Sequence, residues 1–326
     1  MSGNLTVLVV GCGNIAGIFD QGQLDGELPV THAGAYTRDG RFKIVACVEP
    51  DEYRRTEYMT TWDVPVGMQS IREVLDSGHK FDVISICSPT ACHEDDLEIA
   101  IRLRPRLIFC EKPVTNSLAK TERIVAECRM AGVLLAVNHT RAWDPDIHKL
   151  QADMHSGAWG ELRSVVGIYN KGILNNGSHM LELLHRLIGP MEVVRVGTPI
   201  VDFLPTDPTI PAWLEGPRGL SVQLVCGNAG DFAIFELQLV FSHGVIVMED
   251  GGMFWRERYV KNSARFKGYR VLGDTVRRVG EAPQAMLQAV DNIYRAMKHG
   301  DPLVSTGKSA LAAQRICEII KQATNL

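Results

Sequence analysis

At 326 residues, 45% of them hydrophobic, the chain is long enough for two domains and needs neither disulfides nor a metal to fill its cores. Lys and Arg number 34 against 38 Asp and Glu, a formal charge of −4 with no basic block, which argues against nucleic acid as a partner. No apolar run approaches the ~20 residues of a membrane span, and the run 5–10 lacks the flank and cleavage site of a signal peptide, so no membrane association and a cytoplasmic location are expected. Eight scattered cysteines without a C-x-x-C pair give no zinc or disulfide framework, and metal ligands are not expected.

The first strand, 5–10, runs directly into Gly11-Cys12-Gly13-Asn14-Ile15-Ala16, a G-x-G-x-x-A pattern. In that pattern the first glycine permits a tight turn, the second lets the backbone approach a pyrophosphate, and the small third residue lets a helix pack close. A helix N-terminus there offers N–H groups and a positive dipole to phosphates, so Gly11, Gly13, Asn14, Ile15 and Ala16 are candidate dinucleotide contacts. Residues 19–31 read as an inserted loop. The next strand, 43–48, ends at Glu49, whose carboxylate suits ribose hydroxyls and repels a 2′-phosphate, favouring NAD while leaving NADP open. Glu49 lies further from the loop than the ~20 residues usual for this role.

Strands at 81–86, 106–110 and 133–137 alternate with helical stretches such as 91–102, whose first turn is acidic, as a helix dipole favours. Continuous apolar runs of this kind indicate parallel strands covered on both faces, hence an α/β doubly wound sheet over residues 1–133. From 134 to 326 the pattern changes. Helices are expected at 145–156 and 178–188, turn-linked strands at 220–226, 232–241 and 245–249, and helices again at 283–299 and 307–323. The proline-rich segment 201–217 is long enough for a lid or an interface arm.

Glu111-Lys112-Pro113 follows the run 106–110, and Ser88-Pro89-Thr90 with His93 follows the run 81–86. Together with the glycine loop, the Asn138 to Pro145 segment carrying Arg141, the Gly157-Ala158-Trp159-Gly160 turn and the Gly300-Asp301-Pro302 break, the chain resembles the Gfo/Idh/MocA family of nicotinamide-dependent oxidoreductases. The resemblance implies an N-terminal Rossmann domain and a C-terminal α/β domain with a large, mostly antiparallel open sheet, the last helix packing back on the first domain. It implies a homodimer or homotetramer, and a sugar, sugar nucleotide or cyclitol as substrate. By resemblance Ser88, Thr90, His93, Glu111 and Lys112 join the cofactor contacts, Lys112 is the catalytic lysine, and the Lys112–Pro113 peptide is cis.

His179 matches the histidine of the family's Asp-x-x-x-His pattern, where Asn175 replaces the aspartate. An amide binds a hydroxyl but takes no proton, so a relay must run through His179, Lys112 or water. Residues 175, 179, 182 and 186 share a helix face, a polar stripe expected to meet a cleft. Candidate substrate contacts are Asn138, Arg141, Trp143, Lys171, Asn175, Asn176 and His179, the cations suiting an anionic sugar derivative. The leading expectation is hydride transfer between NAD(P) and a secondary alcohol or ketone carbon. The alternatives are a glycoside hydrolase using bound NAD for transient oxidation, and a non-catalytic NAD-sensing regulator.

Overall fold

Six short apolar runs build the first sheet: β1 (Leu5–Val10), β2 (Phe42–Val48), β3 (Val66–Met68), β4 (Val83–Ile86), β5 (Leu107–Cys110) and β6 (Leu134–Val137). In this computed structural model, which describes residues 4–22 and 26–324, they pair in the order β3-β2-β1-β4-β5-β6. Every pairing is parallel. All residues of β4 and β5 are buried, because helices cover both faces: α1 (His32–Asp39), α2 (Glu52–Trp62), α3 (Ile71–Ser77), α4 (His93–Leu103) and α5 (Leu118–Ala131). The strand order reverses between β1 and β4, so loops at their carboxyl ends border the crevice where such sheets bind ligands.

The loop after β1 is an excursion from one helical path. The Ala33 N–H donates to the Ala16 carbonyl at 2.9 Å and the His32 N–H to the Ile15 carbonyl at 3.1 Å, donors that in an unbroken helix would be residues 20 and 19. Buried Asp20 closes the excursion by accepting from Val30 N (3.0 Å), Thr31 N (2.9 Å) and Thr31 Oγ1 (2.5 Å). Thr31 then caps α1, its Oγ1 accepting from Gly34 N. This spliced-out segment accounts for the long interval between the glycine loop and Glu49. Residues 23–25 of the expected loop lie outside the described residues.

The second unit contains α6 (Pro145–Ser156) and α7 (Ser178–Ile188) with eleven strands: β7 (Leu162–Tyr169), β8 (Glu192–Val196), β9 (Ile200–Leu204), β10 (Asp207–Thr209), β11 (Ala212–Gly216), β12 (Leu220–Cys226), β13 (Phe235–Phe241), β14 (Gly244–Glu249), β15 (Phe254–Asn262), β16 (Arg270–Leu272) and β17 (Val276–Val279). Nine form one sheet, β16-β15-β14-β13-β7-β12-β11-β8 with β17 on β15, antiparallel except for β7 beside β12. The strands alternate buried and exposed residues, and α7 packs Met180, Leu183 and Leu184 into the core with Val165, Val222 and Leu237. The segment 201–217 supplies the β9–β10 ladder and then β11 of the large sheet.

Two helices complete the chain, α8 (Ala285–His299) and α9 (Gly307–Gln322). The first unit runs to Trp143 and includes Pro283–Leu311; the second is Asp144–Ala282 with the chain from Ala312 onward. The expected boundary at 133/134 therefore shifts, because β6 is the sixth parallel strand and Ser305 Oγ donates to its Val137 carbonyl at 2.7 Å. The returning helix is α8, which sets Met286, Ala289, Val290 and Ile293 against Tyr36, Phe42 and Trp143; only the first turn of α9 belongs to the first unit. No helix among the described residues is long and apolar enough to cross a membrane.

Candidate active site

In the first unit the glycine loop has the form its pattern demands. Gly11 sits at φ +84°, its N–H donates to the Val48 carbonyl at 2.8 Å, and a Cβ there would lie 2.6 Å from Ser88 N. Only glycine fits such a place. A Cβ on Gly13 would meet nothing within 4 Å, so the backbone is open to an approaching phosphate. The turn that follows begins there, Gly17 N donating to the Gly13 carbonyl, with Asn14 exposed, Ile15 half-buried and Ala16 buried. These residues fit a dinucleotide pyrophosphate at a helical N-terminus.

Glu49 stands at the end of β2 as expected, but its carboxylate also braces the loop. Oε2 accepts from Cys12 N at 3.0 Å and Oε1 from Asp51 N at 3.1 Å, and the side chain is buried. Arg54, half exposed, places Nη1 3.6 Å from the same carboxylate.

Lys112 and Glu111 follow β5, and the Lys112–Pro113 peptide is cis. Lys112 is half-buried. Behind it Glu111 Oε1 accepts from Asn138 Nδ2 at 2.6 Å and lies 3.0 Å from His32 Nε2. Burial pushes the Glu111 carboxyl up, yet the opposing pull of His32, Asn138 and Lys112 outweighs it and the group sits below its usual range. Ser88 Oγ donates to Asp96 at 2.6 Å, whose carboxyl burial pushes up, and Thr90 opens a short helical turn ahead of α4.

Three expected contacts are corrected by burial. Trp143 is 1% exposed, its Nε1–H donates to Asn292 and its ring meets Phe109 edge-on, so it is core and not a substrate contact. Asn138 is buried and spends its amide on Glu111 while accepting from Thr140. His93 is 1% exposed with its ring nitrogens 2.9 Å from the Pro113 carbonyl and 2.8 Å from the Ser88 carbonyl, so it joins two strand-end loops instead of touching a cofactor. Arg141 stays partly exposed in the turn Thr140–Trp143.

In the second unit Lys171 adopts φ +66° and opens a π-helical turn, Gly172–Gly177, that leads into α7. Asp207 caps that turn, accepting from Leu174 N at 2.9 Å and Asn175 N at 2.8 Å, while Asp202 accepts from Lys171 N at 3.1 Å. Asn175 Nδ2 donates to the Lys171 carbonyl at 3.0 Å. Asn175, Asn176 and His179 are all partly exposed. The polar stripe ends at His179: Glu182 is 2% exposed and pairs with Arg186, and burial pushes its carboxyl up while Arg186 opposes. An aspartate at 175 would set a carboxylate against the Lys171 carbonyl and beside Asp207. Asn175→Asp is therefore expected to lose about 1–3 kcal/mol of stability in urea unfolding; an unchanged midpoint would show that the amide bond is not what holds this turn.

His32, Asp20, Asp202 and Asp207 were not expected from sequence. The cap at Thr31 was the one signal near His32, while each aspartate acts on a segment that only folding brings to it. Among the described residues no group of three or more His, Cys, Asp or Glu is placed to hold a metal.

Residues 5–139 match the family model for the Gfo/Idh/MocA oxidoreductase family, described as having an NAD-binding Rossmann fold. The likeness to the Gfo/Idh/MocA family thus covers the parallel sheet of the first unit. The uncharacterized oxidoreductase YrbE of Bacillus subtilis is 31% identical over 146 residues, 45% of this chain and 41% of that protein. The myo-inositol 2-dehydrogenase of Thermotoga maritima is 32% identical over 80 residues, 24% of each chain. The matches thus span less than half the length of these curated relatives. Among solved structures sharing the family fold, the WlbA dehydrogenase of Bordetella pertussis, in complex with NADH and UDP-GlcNAcA, has a TM-score of 0.80 at 15% identity and covers 99% of this chain and 96% of its own. KijD10, a 3-ketoreductase of Actinomadura kijaniata in complex with TDP-benzene and NADP, has a TM-score of 0.76 at 15% identity, covering 98% of each.

Proposed function

We propose that the protein is a Gfo/Idh/MocA family member and a dehydrogenase that moves a hydride between a nicotinamide cofactor and a secondary alcohol or ketone carbon of a sugar, sugar nucleotide or cyclitol. The observation that carries the reading is Lys112, half-buried at the carboxyl end of β5 with an ionised Glu111 fixed behind it, in the same sheet that carries the glycine loop. The nicotinamide supplies the hydride chemistry when bound. Lys112 hydrogen-bonds the reacting oxygen, and His179 is the proton acceptor on the second unit. Arg141, Lys171, Asn175 and Asn176 are the proposed substrate contacts. Relatives named as oxidoreductases and dehydrogenases leave the hydrolase and sensor alternatives without support.

The buried Glu49 at the end of β2 favours NAD, whereas half-exposed Arg54 beside it keeps NADP as a second reading. Glu49→Gln retains an acceptor for the loop and removes the charge, so the preference for NADH over NADPH is expected to fall by about tenfold or more. Calorimetric titration with both cofactors checks this, and equal losses would show that Glu49 reads neither ribose. Turnover is tested by nicotinamide absorbance with myo-inositol, D-apiose and UDP-N-acetylglucosamine as probes. No cofactor binding and no turnover would overturn the dehydrogenase reading. The proposal includes a cytoplasmic location and a homodimer or homotetramer formed through the open sheet, whose outer face exposes Trp213 and Val225; light scattering reads the oligomer.

A further inference from the structure

A buried chain of hydrogen bonds lies beneath Lys112. The Tyr36 hydroxyl meets Ser85 Oγ at 2.9 Å, Ser85 Oγ meets His32 Nδ1 at 3.3 Å, and His32 Nε2 meets Glu111 Oε1 at 3.0 Å. With a neutral ring whose Nε2–H faces the carboxylate, Ser85 donates to Nδ1 and Tyr36 to Ser85. Ser85 and His32 have the connectivity of a serine–histidine–carboxylate triad, but both are 0% exposed. No substrate reaches Ser85, so this array cannot act as a nucleophile and its product is the state of Glu111.

His32 has a second attachment. Its own N–H donates to the Ile15 carbonyl inside the glycine loop, and it opens α1 just where Asp20 and Thr31 return the chain from its excursion. One residue therefore ties the phosphate loop, through its backbone, to the carboxylate preceding Lys112, through its ring. We propose that His32 is a positioning residue for Lys112: it holds Glu111 ionised and oriented, and so aims the lysine relative to the cofactor loop.

Glu111 is faced by His32 and by Asn138, whose amide also meets Met286 Sδ, by Lys112 next in the chain, and by the thiols of Cys87 and Cys110. Burial pushes both thiols up, so neither contributes charge at neutral pH. With Nε2–H gone, burial is opposed only by Asn138 and Lys112, and the carboxyl protonates at higher pH than in the parent protein. The rate then falls on the acidic side at a higher pH.

The inference rests on the dehydrogenase reading for its kinetic arm and is independent of it for its spectroscopic arm. His32→Leu fills the space without a donor, and His32→Gln restores an N–H near the Nε2 position. Expected for His32→Leu is a fall in kcat of about 10–100-fold on whichever of myo-inositol, D-apiose or UDP-N-acetylglucosamine the parent oxidises, NADH affinity within about threefold, and an acid limb moved to higher pH. His32→Gln should recover most of the rate. Infrared difference titration should show a buried protonated carboxyl band in His32→Leu, absent from the parent and from Glu111→Gln/His32→Leu. Leucine and glutamine variants equally impaired, or an unmoved acid limb and no new band, would overturn the proposal. If the parent oxidises none of the probes, the band alone decides whether His32 holds Glu111 ionised; if it also binds neither NADH nor NADPH, the dehydrogenase reading fails. A leucine variant too unstable to assay leaves His32→Gln against His32→Asn, whose shorter amide reaches Ser85 and not Glu111; only glutamine should then be active.

Discussion

Lys112→Ala is expected to slow hydride transfer by about a hundredfold or more, roughly 2.7 kcal/mol of transition-state stabilisation, while NADH affinity stays within a few-fold. The reason for the split is geometric. On the proposed reading the glycine loop and Glu49 carry the dinucleotide, and neither contacts the lysine ammonium in the hydrogen bonds that shape the loop. Lys112 is half-buried next to an ionised carboxylate, a setting that suits the proposed donor to a reacting oxygen. Lys112→Arg separates two roles. A guanidinium donates hydrogen bonds but does not give up a proton at working pH. Partial rescue by arginine would show that the charge alone polarises the oxygen; an arginine variant as slow as alanine would show that proton exchange at the lysine nitrogen is required. Wild-type turnover in Lys112→Ala would remove the lysine from the mechanism.

Gly11→Ala and Gly13→Ala are expected to fail in different ways although one residue separates them. At Gly11 the added methyl meets Ser88 N at 2.6 Å, Ser88 Cα at 2.7 Å and the Cys87 carbonyl carbon at 2.8 Å, and φ is +84°. All three neighbours are backbone at the end of β4, where Cys87 N donates to the Val10 carbonyl, so the strand end must move. Strain and overpacking together should cost on the order of 3 kcal/mol or more in urea unfolding, and NADH affinity should fall with the distorted loop. At Gly13 the methyl meets nothing within 4 Å. Stability should change by less than about 1 kcal/mol while NADH affinity falls about tenfold or more, because the methyl occupies the space of the pyrophosphate. Equal stability losses at both positions would contradict the loop geometry described here.

The parallel sheet and the glycine loop were legible in residue order, since strands covered on both faces must be continuously apolar and the loop needs glycine where no side chain fits. Strand ends were readable to within a few residues, and α6 and α7 matched their expected bounds. β3, only three residues long, carries too little pattern to stand out. The segment 201–217 showed no strand pattern in residue order because its prolines interrupt it: Pro208 lies within the three-residue β10 and Pro211 stands just before β11.

Side-chain roles divided along the same physical line. Gly11 takes the left-handed turn and Ala16 the buried place that their spacing calls for, because that requirement is local to a few residues of backbone. Trp143, Asn138 and His93 were assigned by their chemistry to contacts with ligands, yet each is consumed by a partner distant in sequence: Asn292, Glu111 and the Pro113 carbonyl. His32 is the converse, a residue with no motif of its own that becomes central once β4 and β5 lie beside α1. Periodicity, turn chemistry and close backbone approach act over a few neighbours, so the order of residues was enough to define them. Whether a polar group faces a ligand or a buried partner depends on which groups folding brings within ~3 Å, and only the tertiary structure decides that.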